Sequence, residues 1–255
     1  MTTVLVTGGT GQLGAPTVVG LRASGHDVRV LSRKSGPGLV TADVVSGRGV
    51  AEAVAGVDVV VHLVSTIGKD DPAGKGDLPL AARLVEEAKA AGVGHLVFIS
   101  IIGVDKIPLP YYKTKLAVKE LLRESAIAHT VLRIAQFHSL VEQIFAAQRF
   151  LPVLFAPAFS VQPIDVGDAA NKIVEIVSGA PQGRAADIAG PRAAKAAEWA
   201  RQWKASAGSR KPVVPLWLPG KTFAGYAAGH NLAPEAAYGT TTFAEYLAAR
   251  RAGAK

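Results

Sequence analysis

The segment Val4 to Gly14, reading VLVTGGTGQLG, constrains this chain more than any other, because it runs a buried-strand pattern directly into a glycine-rich turn. Val4, Leu5 and Val6 form the short apolar run of a strand covered on both faces of a parallel sheet. The G-x-x-G-x-x-G spacing then gives each glycine a task. Gly8 permits the sharp turn, Gly11 removes the side chain that would hold a pyrophosphate away, and Gly14 lets the next helix sit close to the sheet. That helix is expected to begin near Gln12, with Leu13 in its opening turn and Pro16 where a missing N–H is harmless. Its unpaired N–H groups and positive dipole end face the phosphates, and Thr10 offers a hydroxyl close by. Glycine makes up 27 of 255 residues, so the triplet alone says little. Val28 to Leu31 supplies a second strand right after the helix, and the resulting βαβ unit points to a dinucleotide.

The end of that second strand discriminates between dinucleotides. An acid there would accept from a free ribose 2′-OH, whereas cations suit a 2′-phosphate. The residues are Ser32, Arg33 and Lys34. Arg33 can make a forked, charge-assisted contact with phosphate and Lys34 adds a mobile positive charge, so NADP(H) is favoured over NAD(H).

Downstream, apolar strands alternate with helical segments: Val57 to Val64, Leu78 to Ala91, His95 to Ile102, Tyr112 to Ser125 and Thr130 to Ile134. The expected fold is α/β, a Rossmann-type doubly wound parallel sheet with helices on both faces and a small C-terminal substrate-side elaboration. At 255 residues and 49% hydrophobic content, one domain is expected over 1–255, with the dinucleotide-binding core in 1–150 and the substrate-binding part in 151–255. The chain has no cysteine, which excludes disulfides and thiolate metal sites, and its six histidines show no metal-binding spacing. The net charge of +8 is spread without a dense run or interleaved aromatics, so nucleic acid is not an expected partner. No apolar run reaches the ~18 residues needed to span a bilayer, and the sequence enters a strand without a signal peptide; a cytoplasmic protein with no membrane association is expected.

Several separate pieces carry a family resemblance: TGGTGQLG at Thr7 to Gly14, Arg33, TADV at Thr41 to Val44, HLVS at His62 to Ser65, FIS at Phe98 to Ser100, YYKTK at Tyr111 to Lys115, and LRIAQF at Leu132 to Phe137. Over roughly residues 3 to 190 the chain resembles the atypical, NmrA-like members of the short-chain dehydrogenase/reductase superfamily. The resemblance implies that Asp43 and Val44 contact the adenine, that Leu63, Val64 and Ser65 pass beneath the adenosine side of the cofactor, and that Ile134 to Phe137, with Gln136, lie near the nicotinamide. One departure is that only nine residues separate Arg33 from Asp43, with Gly36, Pro37 and Gly38 among them, so the helix usual there is expected to be missing.

Tyr111 and Lys115 have the Y-x-x-x-K spacing of active short-chain reductases, and residues four apart share one helix face. The ammonium would assist proton transfer by the phenol and hold the ribose hydroxyls, while Ser100, at the end of the fifth strand, would orient a substrate carbonyl. Tyr112 is an alternative proton donor, and Tyr111 also fits the role of a helix-entrance aromatic after Pro108 to Pro110. Gln136, Phe137 and His138 follow the sixth strand where substrate pockets open, although His138 equally suits packing at the helix start. His62, inside a strand, reads as core. Asp165 or Asp168 caps the helix over Asp165 to Ser178, and Trp199, Trp203, Trp217, Phe223 and Tyr226 line a pocket or fill core, a lean toward an apolar or aromatic small-molecule substrate. Three functions follow: an NADP(H)-dependent reductase of a carbonyl, quinone or conjugated molecule; an NmrA-like NADP(H) sensor without turnover; and a nucleotide-sugar epimerase or isomerase, for which the short C-terminal region leaves limited room. Monomer and homodimer are both open.

Overall fold

Val4, Leu5 and Val6 are fully buried, because the strand they form is paired on both edges and covered on both faces. The computed structural model describes residues 1–253. Its elements begin with β1 (Thr3–Thr7), α1 (Gly14–Ala23), β2 (Asp27–Ser32), β3 (Leu39–Thr41), α2 (Val50–Val54), β4 (Val59–His62), α3 (Asp77–Ala90), β5 (His95–Ile101), α4 (Pro110–Glu124) and β6 (His129–Ile134). They continue with α5 (His138–Ala146), β7 (Leu154–Pro157), β8 (Ser160–Val161), α6 (Val166–Val177), β9 (Gly183–Arg184), β10 (Ala194–Lys195), α7 (Ala196–Ser206), β11 (Val213–Leu216), α8 (Lys221–Ala227) and α9 (Phe243–Ala252).

The chain divides into two compact units and passes between them repeatedly. The first contains Met1–Ser100, Leu109–Arg133 and Ala169–Ala186, and carries a seven-stranded parallel sheet in the order β3-β2-β1-β4-β5-β6-β9. Winding proceeds outward from β1 through β2 to β3, then restarts on the other side at β4. The carboxyl ends of β1 and β4 therefore flank a topological switch point, where loops diverge and leave a crevice. Leu5, Leu31, Val60, Leu84, Leu96, Phe98, Val118 and Leu122 belong to the core that packs α2, α3 and α4 on the sheet. No helix forms between Arg33 and Asp43; the short connection carries only a turn and β3, as its Gly-Pro-Gly content requires.

The second unit contains Ile101–Pro108, Ile134–Asp168 and the chain from Asp187 onwards. Here β7 and β11 pair in parallel and β8 and β10 antiparallel, around a core of Val141, Phe145, Ala156, Trp199, Ala200, Phe243 and Leu247. Of the two acids expected to cap α6, Asp165 accepts from the Gly167 amide at 2.7 Å, whereas Asp168 does not cap that helix. Asp168 accepts from the amides of Thr240 and Thr241, each at 3.0 Å, and so ties down the approach to α9. The indole of Trp199 is core and donates to the Ala194 carbonyl at 3.2 Å, while Trp217 is 80% exposed. Tyr226 stacks on Phe159 at 4.8 Å between centroids. Among the described residues no helix is long and apolar enough to cross a membrane.

Candidate active site

The glycine turn is built as tightly as its spacing predicts. Gly8 has φ +71°, and a Cβ there would lie 2.9 Å from the Val64 amide nitrogen, so the turn after β1 presses directly on the segment after β4. A Cβ on Gly14 would fall 2.1 Å from the Gly8 carbonyl oxygen, inside any permitted contact. Gly11 differs: its Cβ would meet only the Gly8 oxygen, at 3.1 Å, and otherwise points into open space. Thr10, Gly11 and Gln12 are exposed at the head of α1, which starts at Gly14, two residues later than expected, with Leu13 as its N-cap. A shallow, side-chain-free cradle at a helix N-terminus is the arrangement a pyrophosphate requires, so these residues fit a dinucleotide. Gly9 was missed by sequence reasoning; a Cβ on it would strike Val30 at 2.8 Å, so it sets the fit of the turn against β2.

Arg33 and Lys34 are exposed just past the end of β2. Asp43 follows β3 and accepts from the Ser46 hydroxyl at 2.9 Å and the Val45 amide at 3.0 Å; these bonds, with the Arg33 charge, hold its carboxyl below the usual range. Val44 is buried, and its carbonyl accepts from Arg83 of α3 at 3.1 Å. Leu63, Val64 and Ser65 follow β4, and the backbone of Leu63 and Val64 packs against Gly8.

Tyr111 and Lys115 lie one turn apart on α4, and their contacts differ from a bare phenol–ammonium pair. The Lys115 ammonium sits 5.3 Å from the centre of the Tyr111 ring and 4.9 Å from that of Phe98, over the ring faces. Its charge is met by Asp77, at 3.3 Å, with side-chain exposures of 8% and 2% for the two partners. The Tyr111 hydroxyl lies 3.2 Å from the Ser65 hydroxyl, which donates to Asp77 at 2.9 Å. Since a carboxylate only accepts, Ser65 spends its proton on Asp77, and Tyr111 is the donor to Ser65. Asp77 also accepts from the Thr66 amide at 2.6 Å. Next to it, Asp71 accepts from the Gly76 and Lys75 amides and the Thr66 hydroxyl, bonds that hold its carboxyl below the usual range. The loop before α3 is thereby fastened, with Gly74 closely apposed to the Tyr111 ring, where a Cβ would lie 2.7 Å away. Asp77 escaped sequence reasoning: an acid in the first turn of a helix reads as a helix-terminus preference, and its partner lies far along the chain.

Ser100 is buried two residues beyond Phe98 on β5 and therefore shares its face of the strand, toward Lys115, with a hydroxyl that makes no hydrogen bond in the described structure. Tyr112, the alternative donor, is buried. His62 is core as expected: its Nδ1 is 2.8 Å from the Thr7 hydroxyl and its ring stacks near Phe98. Burial pushes that imidazole down to about 3, with the Lys115 charge adding to the shift and Asp77 opposing it. In the second unit, Ile134 is buried, and the side-chain amide atoms of Gln136 are buried without a partner. Phe137 is the N-cap of α5. His138 is 1% exposed, packed between Phe243 and Tyr246, with Nε2 3.0 Å from the Thr241 carbonyl. A cavity of about 250 Å³ touches His138, and an open one of about 840 Å³ is lined by Glu142, Trp203, Tyr246 and Arg250; neither involves Tyr111 or Lys115.

A family model described as NAD(P)H-binding matches residues 8–144, just over half of the chain and the whole of the glycine turn and the Tyr111–Lys115 helix. The chain belongs to this NAD(P)H-binding family. Among curated proteins, this NAD(P)H-binding chain is 30% identical over 146 residues to the photosystem II assembly factor Ycf39 of Cyanophora paradoxa, covering 52% of this chain and 45% of that protein. It thus spans about half the length of the curated relative it matches. Among solved structures, it superposes on an NADPH-dependent quinone oxidoreductase of Escherichia coli in complex with NADPH, with a TM-score of 0.80, 20% identity and coverage of 97% and 99% of the two chains. A nucleoside-diphosphate-sugar epimerase of Staphylococcus aureus gives a TM-score of 0.78 at 18% identity, covering 97% and 99%. At these identities the likeness to solved structures is one of fold.

Proposed function

We propose that this NAD(P)H-binding protein is an NADPH-dependent oxidoreductase that transfers hydride between the nicotinamide and a small carbonyl, quinone or conjugated substrate. The observation that carries the reading is the pairing of Tyr111 and Lys115 on one face of α4, with the ammonium buried and the phenol partly open. The likeness in fold to the NADPH-dependent quinone oxidoreductase of Escherichia coli supports the choice of NADPH and of a quinone-type acceptor.

In this reading the cradle from Gly8 to Gly14 takes the pyrophosphate, and Arg33 and Lys34 meet the 2′-phosphate. Asp43 and Val44 take the adenine, and Leu63, Val64 and Ser65 floor the adenosine side. Lys115 holds the ribose hydroxyls. Bound there, the dinucleotide would supply the hydride. Tyr111 then gives its phenolic proton to the substrate oxygen as negative charge develops on it, and recovers a proton from water after product leaves. Ser100 donates to the same oxygen.

The test is calorimetric titration of cofactor-stripped protein with NADPH and then NADH, followed by a screen of quinones and aldehydes for loss of NADPH absorbance. Selective NADPH binding with turnover is expected; binding of neither nucleotide would overturn the reading. A second reading, an NADP(H)-dependent assembly or regulatory protein, is favoured by the Ycf39 relative and by the engagement of the Tyr111 hydroxyl with Ser65. Tight NADPH binding with no turnover on any acceptor would select it.

A further inference from the structure

Asp77 lies outside every motif that marks this family on the chain, yet it touches the Lys115 ammonium, the Ser65 hydroxyl and the Thr66 amide beside the proposed proton donor. Its carboxylate meets the Lys115 ammonium at 3.3 Å on one side and the Ser65 hydroxyl at 2.9 Å on the other, and Ser65 receives the Tyr111 hydroxyl at 3.2 Å. A continuous polar path therefore joins Tyr111, Ser65, Asp77 and Lys115, all within the first unit. We propose that Asp77 is the positioning residue of this site, the fixed counter-charge that aims Lys115 across the Tyr111 and Phe98 rings while holding Tyr111 in register through Ser65. The proposal rests on the oxidoreductase reading above and extends it to a residue not otherwise implicated.

The physical argument is one of charge in a dry place. The Lys115 side chain is 8% exposed, and a cation in such surroundings needs a nearby counter-charge to offset its lost hydration. The other ionisable groups facing Lys115 cannot supply one. Tyr111, on the same helix, presents its ring and turns its hydroxyl to Ser65. His62, from β4, is held neutral by burial and adds no negative charge. Asp71 is occupied by the Lys75 and Gly76 amides and by Thr66. Asp77 itself is anchored by the Thr66 amide at 2.6 Å and cannot drift, so Lys115 is aimed by the start of α3 rather than by its own flexible stem.

The experiment measures NADPH affinity by fluorescence at pH 7.5 for the full chain, Asp77→Asn, Asp77→Glu, Lys115→Gln and the Asp77→Asn/Lys115→Gln pair. Wild-type binding is measured first: if it is absent, the proposed function fails, whereas wild-type binding that ignores Asp77 overturns this inference alone. The expected result is an Asp77→Asn affinity about tenfold below wild type, because the Lys115 ammonium is no longer held in its aim. Asp77→Glu, which keeps the charge, restores most of the wild-type affinity. On the Lys115→Gln background, Asp77→Asn has no further effect. An Asp77→Asn affinity equal to wild type, or an equal Asp77→Asn effect with and without Lys115, overturns the proposal. Should Asp77→Asn fail to fold, melting temperatures decide: the paired variant, which buries no unpaired charge, melts above Asp77→Asn if the two residues act as a pair, and no higher if they do not.

Discussion

Gly11 and Gly14 are the same residue type three positions apart in one motif, yet their surroundings predict opposite failures. A Cβ on Gly14 collides with the Gly8 carbonyl at 2.1 Å, so Gly14→Ala should cost about 3 kcal/mol of stability and lower the urea midpoint whether or not nucleotide is present. A Cβ on Gly11 meets one atom at 3.1 Å and otherwise projects into open space, where the proposed function puts the pyrophosphate. Gly11→Ala should therefore fold with a nearly unchanged midpoint and lose most of its NADPH affinity by calorimetry. Arg33→Ala should weaken NADPH by roughly 10- to 100-fold, the ~1.5–3 kcal/mol of a charge-assisted hydrogen bond, and leave NADH almost untouched. Tyr111→Phe should bind NADPH as wild type while turnover falls by about 10²- to 10⁴-fold, the usual worth of a positioned general acid. At this scale the motif residues were legible because their chemistry is local: the glycine spacing, the cations after β2 and the four-residue step from Tyr111 to Lys115 can each be read within a dozen positions. Asp77 was not, since its meaning depends on a lysine 3.3 Å away in space that the chain reaches only after building another strand.

Elements of the sheet were readable for the same reason, and their ends were less so. The apolar runs at Val4 to Val6 and Val59 to Val61 are buried on both faces and announce strands by composition alone. The second unit resisted because its strands are two to four residues long, too short for any periodicity, and because Asp168 ignores its own helix to hold the amides of Thr240 and Thr241. The helix that follows, α9, carries a full capping box: Thr242 accepts from the Glu245 amide at 3.3 Å, and Glu245 accepts from the Thr242 amide at 2.7 Å. Thr242→Ala should cost about 1 kcal/mol, visible as a drop in melting temperature, with NADPH affinity unaffected because the cap touches only the second unit.

For the molecule as a whole, acid sensitivity is set by histidines that fold neutral. Burial lowers His62 to about 3 and depresses His95 and His138, so the unfolded chain binds more protons than the folded one once the pH drops below the unfolded value of 6.5. Their contribution is complete above that value and is lost as the pH falls below 6.5; for His62 the loss runs down to about 3, by up to about 1.4 kcal/mol per pH unit. Urea unfolding at pH 7.5, 6 and 5 should show a declining midpoint, and His62→Leu should flatten the decline.

The seventh strand, β9, is only Gly183–Arg184, and it pairs with Thr130 and Val131 of a strand completed some fifty residues earlier. Between them the chain leaves the first unit, builds much of the second, and returns with α6, whose Val174 comes to rest against Gly20 of α1. During synthesis, then, the nucleotide-binding sheet emerges with one edge bare and one flank of α1 uncovered, and both stay so until residue 184 is available. A fragment that stops near residue 150, though it holds the whole glycine motif and the Tyr111–Lys115 pair, is an interrupted solid with a sticky margin rather than a smaller version of the same domain.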